Sequence, residues 1–234
     1  MNKTMQMTGL LIALVLTYAN AFVNGMPTCN DYTLNTYMYI LLGLTTVFVV
    51  SKTLSDKGIQ LPNQMLTLVM SLACMFAVYY TQPKEVIANH LAWFAFLVTL
   101  AMSMAPIYAS YNSGVITQTL VSTILIVLGL TAVVYARPDL VSDSWSSMLA
   151  VALFAGIVLE LVNIFLVKNV GFQKLLTYSL VVLFSVFLMV DTKAIKERSK
   201  ECEGTPDYPK GSIDVLMDFV NLFLRLLSLK RGKK

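Results

Sequence analysis

Seven long apolar runs limit the folds that this chain can adopt. Polar, turn-rich links separate the runs, which lie at about 7–24, 36–53, 64–81, 88–110, 115–135, 147–167 and 172–191. About 20 apolar residues cross the hydrocarbon core of a bilayer as a helix, and a helix pairs its own backbone polar groups. Hydrophobic residues make up 57% of the chain and charged residues 13%, which is more apolar surface than a soluble fold of this length buries. The sequence therefore predicts an all-α, polytopic membrane helix bundle.

The run at 7–24 has two interpretations. Lys3 precedes its apolar core, and Ala19-Asn20-Ala21 resembles a small-residue cleavage site, so residues 1–21 have the features of a signal peptide. The alternative, which we favour, is an extra N-terminal helix that is not cleaved. The predicted organisation has three parts: an N-terminal hydrophobic segment and linker at 1–33, a transmembrane domain at 34–229 and a basic tail at 230–234.

Positive charge is concentrated towards the C-terminal end of the chain. The segment 192–211 carries the densest set of Lys and Arg between helices, and the tail after 229 is also basic. Cytoplasmic loops are enriched in these residues, so we expect both segments on the cytoplasmic side. If both flanks lie on that side, the intervening segment, 212–229, is re-entrant or interfacial. Otherwise one of its flanks breaks the rule that Lys and Arg are enriched on the cytoplasmic side. This placement of the net charge of +4 suits lipid headgroups and does not indicate nucleic-acid binding.

Cysteine and histidine content argues against several kinds of site. The three cysteines, Cys29, Cys74 and Cys202, lack metal-ligand spacing, and their odd number argues against a disulfide scaffold. A Cys29–Cys202 bond would require an oxidising compartment, and we do not expect it. The one histidine, His90, has no evident partner and cannot build a histidine-rich metal site. We expect no metal, no cofactor and no enzymatic activity.

The final segment, 212–229, is weaker in hydrophobicity and amphipathic. Its polar residues share one helical face, because they are spaced by four, three, four and three: Asp214, Asp218, Asn221, Arg225 and Ser228. One interpretation is a helix lying on the membrane with this stripe towards water. The other turns the stripe inward, towards a bundle interior or an aqueous path. Two leading aspartates favour the second, because interfacial helices are usually rich in Lys and Arg on their polar face.

Two more carboxylates lie in or at the end of apolar runs, where an Asp near mid-helix costs roughly 2.5–3.5 kcal/mol. Asp191 ends the run 172–191. It is either an interfacial residue at a helix end or a partner of Asp218 on a neighbouring helix. Two close carboxylates share a proton, which makes a pH-sensitive latch and a cation ligand. Glu160 either forms a hydrogen bond to a neighbouring helix in its neutral form or lines a pathway.

These C-terminal residues resemble the Bax inhibitor-1 (TMBIM) family. In that family the sixth helix ends in a Phe-rich run followed by Asp-Thr, and this chain has LFSVFLMVDT, ending at Asp191-Thr192. The family's last helix carries Asp-x-x-Asn-Leu-Phe and then Leu-Leu, and this chain has GSIDVLMDFVNLFLRLL. Weaker similarity lies at MSMAPIY, LNTYMYILLGLT and AGIVLELVNIFL, the last resembling the family's bacterial branch. Together the similarity spans about 34–229.

The resemblance implies a bundle in which six helices surround a central last helix. It implies a pH-sensitive leak of calcium or other cations, with Asp191 and Asp218 as the paired-aspartate latch. Possible accessory residues are Asp214, Asn221, Arg225 and Glu160. Val186 and Val190 stand where the family commonly has Gly and Tyr, which puts the strength of gating in question.

The resemblance also bears on topology, partners and location. The family's first helix, here 36–53, starts in the cytoplasm, which favours an uncleaved helix ahead of it. The alternative function is a non-conducting regulator of membrane proteins such as a membrane-bound protease. We expect the lipid bilayer, and one such protein, as partners, and a bacterial inner membrane rather than a eukaryotic endomembrane.

Overall fold

A computed structural model of the protein describes residues 22–23, 25–59, 61–142 and 144–230. Within this part lie seven α-helices: α1 Tyr32–Asp56, α2 Gln64–Tyr80, α3 Val86–Ser110, α4 Ser113–Ala136, α5 Trp145–Val162, α6 Val170–Lys200 and α7 Tyr208–Lys230. A 3₁₀ turn, Pro138–Leu140, follows α4, and a π-helical turn, Asn163–Val167, extends α5. The all-α prediction is confirmed, since the helices coincide with the apolar runs from 36 onward.

A short antiparallel ladder precedes α1. It pairs β1, Phe22–Val23, with β2, Met26–Pro27. The end of the predicted run 7–24 is therefore extended rather than helical. Whether residues 1–21 form a signal peptide or an extra helix lies outside the described residues, as does most of the predicted basic tail.

Five helices of the described chain are long and apolar enough to cross a membrane: α1, α3, α4, α5 with its π-helical turn, and α6. The apolar helix α2 has 17 residues, which at 1.5 Å per residue span about 25 Å. Polar side chains cap several helix starts, and they accept hydrogen bonds from backbone N–H groups that have no partner inside the helix. Asn63 caps α2 at Met65 N, Asn169 caps α6 at Phe172 N, and Asp207 caps α7 at Lys210 N, over 2.9 to 3.0 Å.

The predicted basic loop 192–211 is mostly helical. Helix α6 continues to Lys200 and α7 begins at Tyr208, because Lys, Glu, Arg and Ala after Asp191 are good helix formers. Two of the basic residues face a neighbouring helix end: Lys193 donates to the Val141 carbonyl over 2.9 Å, and Lys196 to the Tyr135 carbonyl over 3.0 Å. Asp191 is therefore not at a helix end, and that interpretation is wrong.

The described chain packs into two compact units. The first comprises the described residues up to Asn112 together with Glu197–Leu216, and the second comprises Ser113–Lys196 and the chain from Met217. In the first unit, α1, α2 and α3 pack around buried Trp93, Phe96 and Leu97.

A group of rings and polar side chains lies in the first unit. Tyr208 is fully buried and stacks on Tyr39, with ring centroids 5.6 Å apart. Its hydroxyl donates to the Thr28 carbonyl and accepts from Asn35 Nδ2. Trp93 Nε1 donates to Ser212 Oγ over 3.1 Å. These contacts join the start of α7 to α1, α3 and the segment before α1.

Cys29 and Cys202 form a disulfide, with Cα atoms 5.8 Å apart. The expectation that they stay unpaired is wrong, because the fold brings residues 173 positions apart in sequence next to each other. The bond ties the segment before α1 to the link between α6 and α7. Disulfides persist in oxidising compartments, whereas the Lys and Arg distribution favours the cytoplasmic side for this link. The two signals point to opposite faces of the membrane.

In the second unit, α5, α6 and the C-terminal part of α7 supply the apolar core. Leu180, Phe184 and Leu188 of α6 are buried, as are Leu222 and Phe223 of α7. Close approach of α5 and α6 depends on a glycine, since a Cβ at Gly156 would lie 2.9 Å from Leu180 Cδ2. Helix α5 is the least buried of the five candidate spans, and its exposed apolar side chains suit contact with lipid.

Candidate functional site

Helix α7 is buried although it carries charge. The apolar residues on two sides of the helix are at most 4% exposed: Ile213, Val215, Leu216, Phe219, Val220, Leu222, Phe223 and Leu227. Asp218, in the polar stripe, is only 7% exposed. A helix lying on the membrane would keep that stripe in water, so the interfacial interpretation does not fit. The inward-facing interpretation does.

Asp191 and Asp218 belong to the same compact unit. Asp218 is buried on α7, while Asp191 is half-buried on α6. Three residues near Asp191 are buried and share one face of α6 because they are spaced by four and three: Leu188, Thr192 and Ile195. Asp191 lies next to that buried face. Each carboxylate thus lies within a packed helix, where a charged form is costly. Neither lies in a solvent-exposed loop.

The second unit also contains an ion pair that joins α5 to α7. Arg225 contacts Glu160 with both terminal nitrogens: Nη1 donates to Oε1, and Nη2 donates to Oε2 over 2.9 Å. Their side chains are 24% and 16% exposed, respectively. Such a fork-to-fork arrangement fixes both distance and orientation. The sequence placed these residues on separate runs and did not predict that they meet. Glu160 therefore has a cationic partner, which neither earlier interpretation included.

Amide side chains extend this ion pair to the start of α6. Gln173 Nε2 donates to Glu160 Oε1 over 3.4 Å, and Gln173 Oε1 accepts from Asn163 Nδ2 over 2.8 Å. Asn163 is buried, and its Oδ1 accepts from the Asn169 backbone N–H over 3.1 Å. Asn163 therefore ties the end of α5 to the beginning of α6.

The connection that Asn163 holds is unusual in its backbone. Lys168 N donates to the Asn163 carbonyl over 2.7 Å across five residues, which closes the π-helical turn. Lys168 itself is left-handed, with φ of 51°, a conformation that non-glycine residues seldom adopt. π-Helical turns occur frequently at functional sites. Gln173 was not predicted from the sequence, although a glutamine at the start of an apolar run is a signal of a polar contact.

Asp214 belongs to the first unit and has different partners. The Tyr79 hydroxyl donates to Asp214 Oδ1, and Arg198 Nη1 lies 4.0 Å from Oδ2. Lys210 Nζ lies 5.2 Å from the centre of the Tyr79 ring. Asn221, by contrast, donates to the Met217 carbonyl one turn earlier in α7. The accessory residues of the stripe therefore take part in separate local contacts.

His90 has partners that the sequence did not reveal. Nδ1 lies 2.7 Å from the Val86 carbonyl, and Nε2 lies 2.6 Å from the Tyr39 hydroxyl. A carbonyl only accepts, so Nδ1 carries a proton; the neutral ring then accepts from Tyr39 at Nε2. The expectation that His90 has no partner is wrong, and the residue joins α3 to α1.

The chain, with its seven described helices and its charged last helix, is similar in sequence to a known family. A family model described as inhibitor of apoptosis-promoting Bax1 matches residues 29–233. The chain belongs to the Bax inhibitor-1 family. With its five apolar candidate spans, this Bax inhibitor-1 family member is an integral, multi-pass membrane protein.

Two relatives of this Bax inhibitor-1 family member come from strains of Helicobacter pylori. An uncharacterized protein of strain ATCC 700392 / 26695 is 28% identical over 166 residues, covering 69% of this chain and 68% of the relative. Its counterpart in strain J99 / ATCC 700824 is 26% identical over the same length and the same shares. Both relatives are bacterial.

Proposed function

We propose that this Bax inhibitor-1 family member is a pH-sensitive cation leak, with calcium as the transported ion and Asp191 with Asp218 as its latch. The observation that carries the proposal is the burial of Asp218 inside the last helix, in the same unit as Asp191. Ionisable residues within membrane helices are costly and usually mark ion or proton pathways. Their retention here therefore favours a transport role.

The chemistry of two neighbouring carboxylates explains how pH would control such a leak. When they lie close together they cannot both ionise easily, so one proton is shared over a range of pH. Protonation then decides whether α6 and α7 attract or repel each other. The same helices carry further charged groups, among them Lys193 and Lys196 of α6 and Arg225 of α7. All three have contacts of their own, with Val141, Tyr135 and Glu160 respectively.

Calcium flux into proteoliposomes, measured with an enclosed fluorescent indicator over a series of pH values, tests the proposal. Wild-type protein should give a higher calcium flux than empty liposomes, and that flux should show a step when it is plotted against pH. Asp218→Asn should flatten that step, because an amide does not titrate. Asp56→Asn is the matched control, since Asp56 is 61% exposed and pairs with Lys52 at the end of α1. A pH profile of Asp218→Asn that matches wild type would contradict the proposal.

A second function is regulation of another membrane protein, such as a membrane-bound protease. The low burial of α5 favours it, because Phe154 and Phe165 are each 70% exposed and available to lipid or to a partner helix. Purification in mild detergent should then recover the protease with wild-type protein. Replacing Phe154 and Phe165 with alanine should reduce recovery. Equal recovery with both proteins would contradict this role for α5.

Two further proposals complete the functional assignment. We propose that the protein is not an enzyme, because the sequence has few nucleophile–base pairs and because Glu160 and Asp214 are engaged in contacts with other helices. We also propose a bacterial inner membrane as its location, supported by the Helicobacter relatives. Fractionation of the native host membranes tests the location, and enrichment in any other membrane would overturn it.

A further inference from the structure

The ion pair between Glu160 and Arg225 joins two charges that lie within apolar stretches of their helices. Glu160 is the only charged residue of α5, and Arg225 is the only basic residue between 217 and 229. The two side chains meet in a bidentate contact that is three-quarters or more shielded from solvent. Each would be costly to hold alone in an apolar helix.

We propose that this pair is a lock, separate from Asp191 and Asp218, that holds the C-terminal half of α7 against α5 and must break when the leak opens. Its effect on transport rests on the proposed function above. The lock itself is a contact between two helices, so its opening is measurable without any transport.

Several observations distinguish a lock from a simple stabilising contact. Well-packed apolar residues are often as stabilising as a buried ion pair of similar volume, so ion pairs are weak devices for stability alone. An ion pair that breaks when two helices separate can instead help to define a closed and an open arrangement of those helices. In the closed arrangement the charges pair with each other, and in the open arrangement water solvates both. Side-chain exposures of 24% and 16% place the pair at the margin of the packed helices rather than deep within them.

The surroundings of Glu160 connect the pair to the irregular backbone between α5 and α6. Hydrogen bonds through Gln173 and Asn163 connect Glu160 to the π-helical turn and to the left-handed Lys168 between α5 and α6. Single π-helical turns inside or at the end of α-helices are frequent at functional sites. Movement of α7 would therefore be transmitted to the junction of α5 and α6 through Glu160.

The flux assay separates the lock from the latch. Arg225→Gln and Glu160→Gln should each raise calcium flux about tenfold at every pH, since loss of one partner leaves an uncompensated charge or amide and shifts the equilibrium towards the open arrangement. The position of the pH step should not change. The double variant Glu160→Gln/Arg225→Gln should return flux towards wild type, because two amides can hydrogen-bond to each other. Arg225→Lys, which keeps the charge but loses the fork, should lie between.

Arg137→Gln is the matched control for this experiment. Arg137 forms an equally direct contact with Asp139 in the same unit, over 3.1 Å, but both side chains are more than 60% exposed. Its replacement should leave flux unchanged. Flux of folded Arg225→Gln and Glu160→Gln equal to wild type would overturn the lock.

A distance measurement tests the lock independently of conduction. Spin labels at Leu161→Cys on α5 and Ser228→Cys on α7, both exposed positions, would be introduced together with Cys74→Ser. Arg225→Gln should lengthen or broaden the distance between the labels, and the double amide variant should restore it. An unchanged distance in Arg225→Gln overturns the lock. A changed distance with no flux in any protein, wild type included, supports the lock and overturns the proposed leak.

Discussion

Removing the Cys29–Cys202 disulfide should measurably destabilise the protein. The bond closes a loop between residues 173 positions apart, for which loop-closure entropy gives about 5 kcal/mol as an upper value. Helices that remain inserted in a micelle already restrict the unfolded chain, so we expect a smaller effect of about 2–3 kcal/mol. For a chain of this length that corresponds to a lower melting temperature by roughly 5–10 °C.

The assay is unfolding by sodium dodecyl sulfate in mild detergent, followed by the fluorescence of Trp93 and Trp145. The double variant Cys29→Ser/Cys202→Ser should unfold at lower denaturant than wild type, and reduced wild type should behave like the variant. Cys74→Ser is the control, because Cys74 is the free cysteine of the described chain. Equal midpoints for the double variant and the control would refute the reasoning.

The same bond reports the orientation of the link between α6 and α7. Cells would be permeabilised in the absence of reductant, and the free thiols of the protein would be tagged with a maleimide polymer. If the link faces an oxidising compartment, the protein should take up one tag at Cys74 and, after reduction, three. Three tags without reduction would place the link on the cytoplasmic side, as the distribution of Lys and Arg predicts.

Two further predictions concern packing in the second unit. Asn163→Ala removes both hydrogen bonds of a buried side-chain amide and should lower the free energy of unfolding by about 2 kcal/mol in the denaturant assay; no change would contradict the role given to Asn163. Gly156→Ala should cost about 1 kcal/mol, because its Cβ would meet Leu180 at 2.9 Å. The same substitution at Gly129, which has nothing within 4 Å, should instead stabilise by about 0.5–1 kcal/mol, and equal effects at the two glycines would refute the packing argument.

Sequence periodicity predicted the helices well because hydrophobic length is a strong constraint in a membrane protein. The runs 115–135 and 147–167 correspond to α4 and to α5 with its π-helical turn, within a few residues at each end. The end of α6 was predicted poorly. The polar residues after Asp191 predict a loop, but good helix formers extend the helix beyond the apolar region to Lys200.

Pairwise contacts were the part that the sequence did not predict. Cys29 with Cys202, and Glu160 with Arg225, are separated by 173 and 65 positions. Local patterns carry no information about which distant residues meet, so the sequence alone does not identify these two pairs. The prediction that the polar stripe of α7 faces inward holds for Asp218, which is buried, and does not hold for Ser228, which is exposed.

The central claim is that Asp191 and Asp218 act as one titrating unit that controls a cation leak. The most direct measurement is calcium flux against pH for Asp191→Asn, Asp218→Asn and the double variant, each compared with wild type. If the two carboxylates share a proton, each single variant should lose the wild-type pH step, and the double variant should add nothing further. Independent, additive changes in the two single variants, or a wild-type step in all three, would contradict the account.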